Sequence, residues 1–277
     1  MRFDEFDTSM RRFEKIGEAQ VQPEAYIILR MDGKGFSKFT EKVGFERPFD
    51  ISMHKAMVAA TKAIMTEFDA LYGYTESDEI SVLLPYNFEL YNREVAKLVS
   101  ISASIVATAF YRQFANNEHV GEFIAFDSRI WASENKARVS DYFRWRQADG
   151  IRCALNGAVY WTLRKEMSSG KATSAMKNKG KEWKHEVLHQ HGINFNDFES
   201  WQKRGTGIVW EEYTKVGFNP KTNEFTETKR RRLTEVSLSE GDVYGKFIYT
   251  VMDGALPTDL IQHFNKLSKL EVYHEQE

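Results

Sequence analysis

A chain of 277 residues with 42% apolar and 14% aromatic content can bury a sizeable core, which excludes a largely disordered polymer. The formal charge of −2 excludes a global pull toward nucleic acid or an acidic membrane, so a nucleic-acid partner must be met by local basic patches. One cysteine, Cys153, excludes an intramolecular disulfide and a cysteine-rich zinc site, and fits a reducing compartment.

The N-terminal stretch "MRFDEFDTSMRRFEK" is charged throughout, with no apolar signal core, and no run approaches the roughly 18 apolar residues of a membrane span. The expectation is a soluble, cytoplasmic protein without membrane contact. Phe3, Phe6, Met10 and Phe13 recur near helical spacing and predict a short amphipathic helix that Pro23 ends. "AYIILRMD" (25–32) is an apolar run rich in β-formers, a central strand ending at Asp32. The next 16 residues carry three glycines and read as a loop. Residues 49–70 predict a helix with Asp50 as N-cap and Met53, Met57, Ala60 and Ile64 on one face.

"LYGYT" and "ISVLLP" predict two strands joined by a tight turn, 91–114 a second long helix, and 121–132 a further strand. The order β-α-β-β-α-β is that of a ferredoxin-like split unit: an α+β fold, an antiparallel sheet with two helices on one face. Past residue 133 the character changes. Residues 134–167 and the lysine-rich 171–192 read as helical, and 205–216 with 224–236 read as a hairpin joined by "GFNPKTN". The expected organisation is a core over 1–133 and a helical and hairpin extension over 134–277 packed on it.

"TESDEISVLLP" (75–85) places Glu76, Asp78 and Glu79 at the mouth of a strand that must be buried. Acids are common in turns, and a solvated corner that blunts aggregation is the bland reading. A second acid in a matched place argues against it. In a split unit the first strand lies beside the hairpin, so Asp32 and the hairpin acids can converge at one sheet edge. Converging carboxylates repel unless a cation sits between them. Hard oxygen ligands beside a phosphate substrate favour Mg²⁺, and two ions about 4 Å apart are the usual device for nucleotidyl transfer. The "GKGF" loop lets backbone amides approach a triphosphate and Lys34 adds charge, although its spacing is no Walker motif.

"RMDGKGFSKFT" (30–40), "TESDEISVLLP" (75–85) and "DYFRWRQADGIRCALNGAVYW" (141–161) resemble the tRNA-His guanylyltransferase family and its tRNA guanylyltransferase-like relatives, over residues 4 to 210. The resemblance implies a polymerase-palm core, two Mg²⁺ ions, ATP and GTP as substrates, and addition of nucleotides to the 5′ end of tRNA in the 3′→5′ direction. It implies Asp32, Asp78 and the Gly33 carbonyl as metal ligands and Glu79 as an adjacent functional acid. Nucleotide contacts fall on Gly33, Lys34, Gly35, Phe36, Ser37, Arg47, Ser77 and Lys97, and the assembly implied is a homotetramer. Where tRNA-His-dedicated members carry a "HINNLYN"-type motif, this chain reads "GIRCALNG", keeping only Asn156 in register. That departure favours the branch that repairs truncated tRNA 5′ ends against a template, over strict tRNA-His identity. Arg152 is the candidate replacement contact.

Other signals compete. "HEVLH" fits H-E-x-x-H, with His185 and His189 as zinc ligands and Glu186 as base, but the third metzincin histidine is replaced by Phe195. Solvated histidines on a surface helix are the preferred reading. "KRRR" (229–232) is a candidate phosphate-tracking surface, because four adjacent cations repel without a partner. Tyr142, Trp145 and Arg146 stand at helical spacing, and the two aromatics read as core or subunit interface rather than base-stacking platforms. A palm-type nucleotide cyclase and a non-catalytic RNA-binding module remain the alternative functions.

Overall fold

The computed structural model describes residues 2–11, 13, 19–114, 123–221 and 223–274. An amphipathic helix α1 (Phe3–Arg11) leads to the central strand β1 (Tyr26–Gly33), whose residues Tyr26–Leu29 are all buried. After it the expected loop is in part a helix, α2 (Phe36–Val43). Gly35 at φ 73° and Gly44 at φ 77° bracket it in the left-handed region open to glycine, so these glycines punctuate a helix rather than dissolve one. Phe36 and Thr40 share its buried face.

Helix α3 (Ile51–Glu67) starts at Asp50, whose carboxylate accepts from the Ser52 and Met53 amides. Strands β2 (Tyr72–Glu76) and β3 (Glu79–Leu83) form the expected tight hairpin. The second long helix, α4 (Val95–Arg112), starts later than its sequence pattern, because Tyr91, Asn92 and Arg93 all take positive φ in a preceding 3₁₀ turn. Strand β4 (Phe126–Ser133) completes the split unit. The first two residues of its predicted span, Gly121 and Glu122, lie outside the described residues.

One expectation is corrected by α4. At 18 residues and mean hydropathy 1.3 it is long and apolar enough to cross a membrane. Its Leu98, Ser102, Val106 and Phe110 are instead buried in the protein, and Leu98, Val106 and Phe110 belong to the core beneath the sheet.

The C-terminal half opens with α5 (Lys136–Leu163), followed by α6 (Ser169–Met176), α7 (Lys181–Gln190) and the short α8 (Ser200–Lys203). Strands β5 (Thr206–Asn219) and β6 (Glu224–Ser237) form the anticipated hairpin. Helix α9 (Gly241–Val251), the two-residue β7 (Leu256–Pro257) and α10 (Thr258–His274) follow, none of them anticipated.

Sheet order is β4-β1-β3-β2-β5-β6, with β7 added in parallel to β5. The ladder from β4 to β6 is antiparallel throughout, and β2 pairs β5, so the extension continues the sheet of the first half. One face carries Ile27, Leu29, Met31, Ile80 and Val82 against α3 and α4. The other carries Tyr26, Ile28, Tyr72, Tyr74 and Leu83 against α5, α9 and α10. A third cluster fastens α5 to α7 through Leu155, Val159, Leu163 and Leu188. The alternation along β1 follows from the strand period of two and sends Asp32 and Arg30 to the α5 side.

Candidate active site

Register brings the acids together. Asp32 lies opposite Glu79 on β3 and opposite Asp127 on β4, and Glu76 lies opposite Glu79 across the hairpin. The Gly33 amide donates to the Asp78 carbonyl at 3.0 Å, seating the turn on the end of β1. Ser77 holds φ 53°, a left-handed conformation uncommon for serine, and donates its hydroxyl to the Asp78 carboxylate at 3.2 Å.

Electrostatics at this corner are those of carboxylates brought close together and partly withdrawn from water. Burial and then the Asp127 charge raise the Asp32 carboxyl above its ordinary value. Burial and then Asp32 push Asp78 up to about 6. Burial, Glu79 and Asp78 push Glu76 up to about 8. Glu79 is disposed differently. It is buried and receives the Arg146 Nε and Nη2 in a two-pronged bond at 2.7 and 2.6 Å, with Arg30 at 4.0 Å.

Behind the turn opens a cavity of about 220 Å³. It lies between α2 (Phe36, Ser37, Thr40), the 45–50 segment, the start of α3, the 76–78 turn and α5 (Cys153, Ala154, Gly157). His54 stacks on Trp201 at 4.5 Å and the pair forms one wall. Arg47 reaches back to the Thr40 hydroxyl at 2.6 Å and lies over the Trp161 ring at 5.1 Å.

Of the residues singled out from sequence, Phe36, Ser37, Arg47, Ser77 and Asp78 line this cavity, and Asp32 and Gly33 adjoin it through the Asp78 turn. Phe36 is also core, packed edge-on against Phe110 and Phe126. Lys34 and Gly35 are exposed ahead of α2, whose first turn has no side-chain cap. Lys97 stands apart from the cavity lining, half exposed and paired with Glu94 at 2.9 Å.

Sequence reasoning left out Glu76, Asp127 and Arg146 as site residues. Glu76 was visible as one of three acids. Asp127 becomes a site residue only through the β1–β4 register, which no local pattern encodes. Among the described residues no group of three or more His, Cys, Asp or Glu side chains closes on one point. The H-E-x-x-H segment lies on α7. His189 is exposed, as expected, but His185 is half-buried with its ring edge-on to Phe195 at 5.9 Å. The basic run on β6 is also largely partnered within the chain. Lys229 pairs with Glu212, Arg231 with Asp69 and Arg232 with Glu211.

Comparison with known proteins follows the same lines. A profile described as tRNAHis guanylyltransferase matches residues 7–134, and one described as Thg1 C terminal domain matches 137–244. The tRNA(His) guanylyltransferase of Debaryomyces hansenii is 33% identical over 248 residues, 85% of this chain and 92% of the relative. The chain belongs to the tRNA-His guanylyltransferase family, and its members are nucleotidyltransferases. The Schizosaccharomyces pombe enzyme of the same name is 30% identical over 85% of this chain and 93% of its own length. The crystal structure of the Saccharomyces cerevisiae enzyme superposes with TM-score 0.66 at 26% identity, covering 72% of this chain and 91% of that one. A bacterial Thg1-like protein in complex with ATP superposes with TM-score 0.69 at 21% identity, over 89% and 97% of the two chains, and shares the fold.

Proposed function

We propose that the chain extends the 5′ end of tRNA in the 3′→5′ direction, activating that end with ATP and adding GTP, and that it repairs truncated 5′ ends against a template. The observation that carries the proposal is the meeting of Asp32 and Asp78 at one corner beside a cavity lined by Ser37, Arg47 and Ser77. Fold neighbours described in complex with ATP and with GTP support nucleotide substrates.

The donor set suits Mg²⁺: hard carboxylate oxygens, raised in proton affinity by burial and mutual repulsion, with the Gly33 backbone between them in sequence. An ion held by few protein carboxylates keeps waters and takes its remaining ligands from phosphate. When bound, two such ions would polarise the attacking oxygen and neutralise the leaving pyrophosphate. The chain's own residues do the rest. A cavity of about 220 Å³ is smaller than the ~300–1,000 Å³ of whole-ligand pockets, so it takes the base and leaves the phosphates to run toward the acids. Arg47 at the cavity wall and the uncapped start of α2 offer positive potential along that run.

The first step joins an oxygen of the RNA 5′-phosphate to the α-phosphorus of ATP and releases pyrophosphate. In the second, the 3′-hydroxyl of GTP attacks the RNA 5′-phosphorus, and AMP leaves. Positioning and charge supply the rate in both. Residues 1–133 act as the palm-like catalytic core and 134–277 contribute RNA and subunit contacts, in a cytoplasmic homotetramer.

The test is incorporation of labelled GTP, with Mg²⁺ and ATP, into a tRNA lacking its first 5′ nucleotide, beside intact tRNA-His. Label opposite a template C on the truncated tRNA is the expected result. Label confined to tRNA-His would replace repair by strict identity, and no label on either would overturn the proposal.

A further inference from the structure

Helix α5 places Arg146 where it governs the acid corner without belonging to it. Its guanidinium makes both bonds to Glu79, at 2.7 and 2.6 Å, a third to Asp149 at 3.2 Å, and lies over the Trp145 ring at 4.6 Å. Asp149 is in turn held by Arg152 at 2.6 Å. The Arg146 and Glu79 side chains are 12% and 10% exposed, so the pair is shielded from solvent competition. Around it α5 is fixed to the sheet and to the segment before α9. The Tyr142 and Ser81 hydroxyls meet at 3.0 Å, and the Gln147 amide donates to the Ser239 carbonyl at 2.9 Å.

A buried ion pair is weak evidence for stability, since apolar packing of equal volume does as well. A forked, doubly hydrogen-bonded pair fixes direction as well as distance. Glu79 faces Asp32 in register and follows Asp78 directly, so a fixed Glu79 fixes the corner. The same helix lines the cavity a few residues on, at Cys153, Ala154 and Gly157.

We infer that Arg146 is a positioning residue for nucleotidyl transfer: by clamping Glu79 it sets the Asp32–Asp78 corner in register with the cavity wall that α5 itself provides. The inference rests on the proposed reaction. Its effect falls on turnover, not on nucleotide binding, because no atom of Arg146 lines the cavity.

The experiment uses the full chain, the truncated tRNA and labelled GTP. Arg146→Ala should lower kcat about 100-fold, the scale of a small misplacement at a reacting centre, while KM for ATP changes less than about two-fold and equilibrium ATP binding is retained. Arg146→Lys keeps the charge and loses the fork, and should recover part of the rate. Guanidinium ion added to Arg146→Ala should do the same. In a Glu79→Gln background Arg146→Ala should cost little further, since the two act as a unit. Wild-type inactivity would overturn the reaction and this inference together. An active wild type with Arg146→Ala within about two-fold of it, or with the two substitutions multiplying, would overturn the inference alone. If Arg146→Ala fails to fold, Arg146→Lys in the two backgrounds decides: an equal loss in both overturns it.

Discussion

Asp32, Glu76 and Asp78 hold their protons more tightly than free carboxyls do, and for each the first cause is burial. For Asp78 the second is the charge on Asp32. A group whose folded pKa is raised from 3.8 to about 6 stabilises the fold only while protonated: the contribution is present below 3.8 and is lost as pH rises through 6. At pH 7.5 without a divalent cation, the wild-type chain therefore carries a penalty that an amide would not. Asp78→Asn should abolish nucleotidyl transfer and yet raise stability in chelator by on the order of 1–2 kcal/mol. Added Mg²⁺ should raise the melting temperature of the wild type, through preferential binding to the folded state, and leave the variant's unchanged. Thermal melts with EDTA and with Mg²⁺ check both halves. A variant that melts below the wild type in EDTA, or that gains equally from Mg²⁺, contradicts the account.

Between residues and the whole chain, the element that sets the corner is the β1–α2 junction. A Cβ on Gly33 would stand 2.3 Å from the Phe36 ring, itself wedged between Phe110 and Phe126. Gly33→Ala must displace α2 or its core anchor, and should cost about 1–3 kcal/mol in urea unfolding, as overpacking does. GTP incorporation should fall with it; an unchanged midpoint and rate would mean the junction yields freely. How far such elements could be anticipated depended on how local their cause was. The strand at 26–33, the Asp50 cap and the 72–83 hairpin are encoded in short patterns, and all three formed. Helix α2 was hidden because two glycines that end a helix look like glycines that make a loop. Asp32 and Asp78 were legible as acids at strand ends, and the resemblance of "RMDGKGFS" and "TESDE" implies the metal-holding roles proposed for them. Asp127 and Arg146 were not, since one depends on strand register and the other on how a helix 67 residues downstream lies across the sheet.

Across the whole molecule, the sheet that carries the acids runs on into the C-terminal hairpin, and Glu211 is the residue that ties this continuation down. Its carboxylate is buried and accepts from Arg232 at 2.6 Å and Thr234 at 2.6 Å on β6, and from Thr258 at 2.7 Å at the start of α10. These bonds, with that to Arg232 first, lower its pKa from 4.5 to about 2. A depressed folded value means stability that is present above 4.5 and is lost as pH falls toward 2. Three of the four cations of the basic run on β6 have an acidic partner within the chain: Arg232 pairs with Glu211 and stacks over Tyr213, Arg231 pairs with Asp69 and covers Trp210, and Lys229 pairs with Glu212. Glu211→Gln keeps the shape and removes the charge, so it should lower stability at pH 7 by about 2 kcal/mol, the scale of hydrogen bonds to a charged group. Urea unfolding at pH 7 and at pH 3 should give a gap between wild type and variant that narrows at the lower pH. Turnover per folded molecule should not change, because Glu211 lies outside both the acid corner and the cavity lining. A gap that is constant with pH would assign the loss to packing instead, and a loss of turnover at full folding would make the hairpin junction part of the catalytic unit.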